Sequence, residues 1–151
     1  MKRTLLGLAA LLVSSPAAAI TCSIESVTSS SFGTYDVLSG SPLDTAATIT
    51  FRCTSVNGAD NITIDLDQGG AASFSPRELS DGGSNTLDYN LYTNAGRSII
   101  FGDGTSGTAN YGPTNPPDNV SVDVDVFGRI PAMQSAPAGS YTDTVVVTLT
   151  Y

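Results

Sequence analysis

The sequence predicts an all-β fold, a sandwich of immunoglobulin type with one sheet edge left for a strand from outside. Short runs of alternating apolar and polar residues recur along the chain, separated by clusters of glycine, proline, asparagine and aspartate. No stretch after residue 19 sustains a helical period. The last run, residues 139–151, puts Val145, Val147, Leu149 and Tyr151 on one face and Thr144, Thr148 and Thr150 on the other, with Val146 the one apolar exception. After Tyr141 it carries no proline, lysine or glycine to protect its edge, and no further strand follows. A strand is therefore expected to arrive from elsewhere and pair with it.

Taken in order, the chain begins with Lys2 and Arg3, a short apolar run over residues 5–13, and Ala17-Ala18-Ala19. This is the pattern of a secretory signal peptide, residues 1–19, and the run is too short to span a bilayer. The mature domain is then residues 20–151, one domain that is not membrane-embedded. A first strand is expected around Cys22 and Ile24, and a short extended piece at residues 32–37. Ala47, Ile49, Phe51 and Cys53 alternate with polar residues, as do Ile62, Ile64 and Leu66, then Leu87, Tyr89 and Leu91, then Val120, Val122, Val124 and Val126. At Phe127-Gly128 the phase slips by one residue, which predicts a bulge or a strand switch. The Pro/Gly/Ser/Asn-rich residues 102–119 read as a long loop.

Removal of Lys2 and Arg3 leaves four arginines, Arg52, Arg77, Arg97 and Arg129, against 14 acidic residues, a net charge of −10. The arginines are scattered, so nucleic acid and anionic membrane surfaces are not expected partners. Two cysteines in an exported chain, Cys22 and Cys53, are expected to form a disulfide. The chain has no histidine. That excludes a Ser-His-Asp arrangement and the common zinc sites, and paired cysteines leave no thiol nucleophile. Asp65 with Asp67, and Asp123 with Asp125, share strand faces. They read either as solvated strand faces or as paired carboxylates for glycoside chemistry or calcium. No catalytic residue, metal ligand or cofactor is assigned.

Several phrases together resemble the Spore Coat Protein U domain family, which includes subunits of archaic chaperone–usher pili. They are Cys22 followed by Phe32-Gly33-x-Tyr35-Asp36; Cys53 ending a strand; Leu87-x-Tyr89-Asn90-Leu91-Tyr92; Phe101-Gly102-Asp103-Gly104, where the family often has tryptophan at the first position; Phe127-Gly128-Arg129-Ile130-Pro131-Ala132-x-Gln134; and Gly139-x-Tyr141-x-Asp143-Thr144-x-x-Val147-Thr148-x-x-Tyr151. The resemblance implies an incomplete immunoglobulin-like sandwich lacking its final strand, completed by donor-strand complementation. A periplasmic chaperone would lend the strand, an outer-membrane usher would export the subunit, and another pilus or coat subunit would replace the strand with its N-terminal extension. Val145, Val147, Leu149 and Tyr151 are expected to line one wall of the groove.

Three functions follow as expectations. The first is a structural subunit of a surface pilus or coat. The second is an adhesin-type module that recognises a surface or glycan, with Tyr92, Tyr111 and the glycine-rich loops as contacts. The third is a secreted hydrolase using aspartates. Cleavage after Ala19 leaves only Ile20 and Thr21 before Cys22, too few to fill a groove one strand long. The subunit is therefore expected to accept a strand without donating one, at the tip or end of a fibre.

Overall fold

The computed structural model describes residues 19–151. The signal-peptide reading falls on residues 1–18, outside the described residues, apart from Ala19. Eight strands follow in order: β1 (Thr21–Val27), β2 (Leu43–Thr54), β3 (Ile62–Leu66), β4 (Arg77–Ser80), β5 (Thr86–Tyr92), β6 (Tyr111–Thr114), β7 (Ser121–Ile130) and β8 (Val147–Thr150). They form a five-stranded sheet in the order β1-β2-β7-β5-β4 and a three-stranded sheet in the order β6-β3-β8. Every strand pair is antiparallel.

β2 is the spine of the larger sheet, because its alternation is the longest. Ala47, Ile49, Phe51 and Cys53 turn inward and are buried, while the residues between them stay partly exposed. Ile62, Ile64 and Leu66 supply the facing wall from β3, and Leu87, Tyr89 and Leu91 extend the floor from β5. Cys22 lies opposite Cys53 in the β1–β2 ladder, and the two form the disulfide. The bond ties the outermost strand to the spine.

Four features differ from the sequence reading. No bulge occurs at Phe127-Gly128: β2 and β7 pair without a break from Leu43↔Ile130 to Arg52↔Ser121. Val124, Val126, Gly128 and Ile130 all face inward, so the phase never slips. Gly128 conceals this because it fills its inward place with no side chain of its own; the ring of Phe32 does so instead. The bulge lies in β1, between Ile24 and Ser26. Residues 32–37 form no strand, and residues 102–119 contain β6, whose Tyr-Gly-Pro-Thr lacks any period of two. β4 was not legible because its inward position is held by Arg77, a charged residue with no exposed surface.

Candidate functional site

β1 ends the larger sheet and β8 ends the smaller one, and these two edges approach each other across an open trough. The trough contains a cavity of about 310 Å³. Its floor is the apolar core itself: Ile49, Leu66, Leu91 and Val126 line it and are each no more than 5% exposed. One rim is the end of β1 and the residues after it, from Val27 to Phe32; the other is the run from Asp143 to Val147. A sandwich whose two sheet edges part over an apolar-floored cavity is short of one strand.

The free edge of β8 can be assigned residue by residue. Leu66 N–H turns away from β8 and donates to Gly102 O at 3.1 Å, while Asp67 N–H donates to Val146 O at 3.1 Å. Antiparallel alternation then directs the main-chain groups of Thr148 and Thr150 toward Asp65 and Thr63 of β3. Those of Val147 and Leu149 point to the opposite edge, where no described strand lies. The side chains follow a related alternation: Val145, Val147 and Leu149 are half-buried against the core, whereas Thr148 and Thr150 are exposed. Val145 and Val147 line the cavity. Leu149 does not line it and packs against the core, and Tyr151, past the end of β8, is 55% exposed.

The rim before β8 is held by aspartate side chains, not by a regular ladder, which is why β8 is shorter than the alternation of residues 139–151 predicts. Val146 N–H donates to Asp67 Oδ1 at 2.9 Å, and the same oxygen accepts from Gly69 N–H at 2.9 Å. Asp143 Oδ1 accepts from Gly70 N–H at 2.9 Å and Thr144 N–H at 2.8 Å, and its Oδ2 accepts from Tyr89 O–H at 2.6 Å. Gly69 has φ +66° and no room for a Cβ against the Asp143 carboxylate. Burial first, and the bond to Asp143 second, raise the Tyr89 hydroxyl above its ordinary pKa, so it remains a donor. Asp143 is the one charged residue lining the cavity, and both its oxygens already accept bonds. Upstream, Thr142 exchanges two 2.9 Å main-chain bonds with Ser80 and covers part of the β4 edge.

Arg77 supports this rim from beneath. It donates from Nε and Nη2 to Asp67 O at 3.0 and 2.6 Å, from Nη2 to Phe101 O at 2.7 Å, and from Nη1 to Asn90 Oδ1 at 2.8 Å. Sequence reasoning assigned no role to Arg77 and placed Asp67 only in a carboxylate pair. Asp65 accepts from Asn110 Nδ2 at 2.8 Å, and Asp123 accepts from Thr50 Oγ1 at 2.7 Å. Those carboxylates tie strands and loops together. Arg129, at the other end of the large sheet, is bidentate to Asp44 at 2.7 and 2.8 Å.

Two sheets, a disulfide between the first two strands and an unfilled strand position define an immunoglobulin-like sandwich that is one strand incomplete. The chain belongs to the Spore Coat Protein U domain family, which matches residues 8–148. Protein U of Myxococcus xanthus is 33% identical over 132 residues, covering 80% of this chain and 70% of that protein. Among solved structures, the fold is similar to a chain in the crystal structure of the CsuC–CsuE chaperone–tip adhesion subunit pre-assembly complex from archaic chaperone-usher Csu pili of Acinetobacter baumannii. That match has a TM-score of 0.57 at 20% identity and covers 88% of this chain but only 40% of the other.

Proposed function

We propose that this chain is an exported structural subunit of a bacterial surface pilus or coat, assembled by strand donation. The observation that carries the reading is the free edge of β8 beside an apolar trough. An extended segment laid there gains main-chain bonds from Val147 and Leu149 and packs its alternate side chains into the apolar cavity. Val145, Val147, Leu149 and Tyr151 form the wall it meets. The partners are a periplasmic chaperone first and another pilus or coat subunit later, with an outer-membrane usher between. The route runs through the periplasm to the cell surface. Family membership and the likeness to a chain of a chaperone–subunit complex support this reading.

The test is binding of a synthetic strand of alternating apolar residues to the purified mature protein. Binding is expected to raise the melting temperature, since the ligand binds only the folded state. Val147→Asp or Leu149→Asp is expected to weaken it by about 2–3 kcal/mol, roughly 30- to 150-fold in Kd, by setting a charge against the incoming apolar strand. Asp at Thr148 or Thr150, whose side chains face solvent, is expected to cost much less. Equal losses at all four positions would show that the strand does not lie along β8.

The finer reading is that the subunit accepts a strand but donates none. From Thr21 onward the chain is already paired with β2. Cleavage after Ala19 leaves too short a segment for donation. N-terminal sequencing of the mature protein checks the cleavage. Subunit–chaperone complex incubated alone is then expected to form no polymer, and to add once to a donor-bearing subunit. Long homopolymers would overturn the assignment. An adhesin role at a fibre end is the second reading, favoured by the tip adhesion subunit named in the similar complex. Binding to a glycan array by the strand-filled protein separates it from a purely structural role.

A further inference from the structure

A second cavity, of about 820 Å³, continues the trough away from β8. Its rims are the residues after Ser30 on one side and residues 136–143 on the other. Ser30, Phe32, Leu79 and Asp143 line both cavities, so the two meet at those residues. At that junction three side chains form a bar. Phe32, from the rim after β1, sets its ring edge-on to Tyr89 of β5, with centroids 6.0 Å apart and planes at 74°. Tyr89 O–H donates to Asp143 Oδ2, on the opposite rim, at 2.6 Å. The bar thus runs from rim to rim across the trough.

Each end of the bar is anchored. The Phe32 ring rests on the backbone of Gly128, where a Cβ would fall 2.8 Å from the ring's Cζ. Three residues on, Tyr35 O–H donates to Pro131 O at 2.8 Å and accepts from Gln134 N–H at 2.8 Å, which pins the loop that carries Phe32. At the other end, Asp143 is held by the main-chain N–H of Gly70. An edge-to-face aromatic pair with a buried hydroxyl bond is a stiff contact, since each part restricts the other's rotation.

We propose that Phe32, Tyr89 and Asp143 form a register stop that ends the strand-accepting groove. This rests on the strand-accepting reading above. The occupant is an uncharged extended segment of a partner protein. The lining beside β8 is uncharged apart from Asp143, and both oxygens of that carboxylate already accept bonds from Gly70, Thr144 and Tyr89. An incoming strand seats its alternate side chains along β8 until its end meets the Phe32 ring. It cannot slide on into the second cavity. The bar thereby selects one register where a repetitive apolar strand fits several. Phe32 is a positioning residue in this sense, fixing where the strand stops.

The experiment measures affinity against peptide length. Two nested series of alternating valine–serine peptides are grown one residue at a time, one from the N-terminus and one from the C-terminus, and titrated against the mature, disulfide-bonded protein. Affinity is expected to rise by roughly tenfold per added valine that finds a place and then level off in both series. In Phe32→Ala the two cavities join, and in one series the plateau is expected at least two residues later. A separate measurement uses wild-type protein alone. A plateau-length peptide with benzophenone at its terminus is expected to cross-link near Phe32 or Asp143. A plateau unmoved in folded Phe32→Ala, or cross-links to residues 34–37 or 136–141, overturns the register stop alone. Wild-type protein that binds no peptide in either series overturns the strand-accepting reading together with it.

Discussion

Arg77 carries a charge into a site with no exposed surface, and its donors end on two main-chain carbonyls and the Asn90 amide oxygen. Burial lowers its pKa from the ordinary arginine value, with Tyr89, Asp67 and Asp143 nearby opposing that shift. The planar fork lets one side chain satisfy Asp67 O, Phe101 O and Asn90 Oδ1 together, while its face stacks over Phe74 at 5.3 Å. Arg77→Met is expected to lower stability by about 3–5 kcal/mol in urea unfolding, because it strands those acceptors in the core. A loss under about 1 kcal/mol would mean that water replaces the guanidinium at little cost. Arg77→Lys is expected to fall between, since an ammonium has the charge but not the fork. None of this was legible beforehand. In Arg77-Glu78-Leu79-Ser80 a charge sits where a strand pattern calls for an apolar residue, so local alternation gives no sign of burial. Arg129, by contrast, pairs with Asp44 in a partly exposed bridge.

At the scale of elements, the disulfide and the terminal strand repay closest attention. Cys22 and Cys53 are 31 residues apart and directly opposite in the β1–β2 ladder. Closing a loop of that length stabilises the folded state by about 3–4 kcal/mol in the chain-entropy model. Among the described residues β1 pairs only with β2, so the bond also holds an edge strand. Paired serine substitution is expected to remove about that much stability and to release the β1 amides to rapid hydrogen exchange while β2 and β7 stay protected. Unchanged β1 protection would show that the ladder alone holds the strand. Strands β2, β3, β5, β7 and β8 were visible as alternation, because each buries one face, and β1 was expected around Cys22 and Ile24. β4 and β6 were not, because one uses arginine as a core residue and the other has glycine and proline at its centre. The shortness of β8 was also hidden. Asp67 and Asp143 replace ladder bonds over residues 143–146 through contacts with distant parts of the chain, such as Tyr89, 54 residues from Asp143.

For the whole molecule, the unfilled strand position sets an apolar cavity beside the free main-chain groups of Val147 and Leu149, a hazard for aggregation. A net charge of −8 opposes that by mutual repulsion. The sequence by itself determined the all-β class, the pairing of the two cysteines, the inward set of most strands and the expectation of a strand-accepting edge. Those properties follow from side-chain period, composition and a lone cysteine pair, which are local or countable. Only the tertiary structure decided that Phe32 fills the space over Gly128, that Arg77 lies in the core, and that Tyr89 and Asp143 join the two rims of the trough. Each of these depends on residues far apart in the chain meeting in one place. A period of two records which face of a strand is buried, but not which distant side chain covers it.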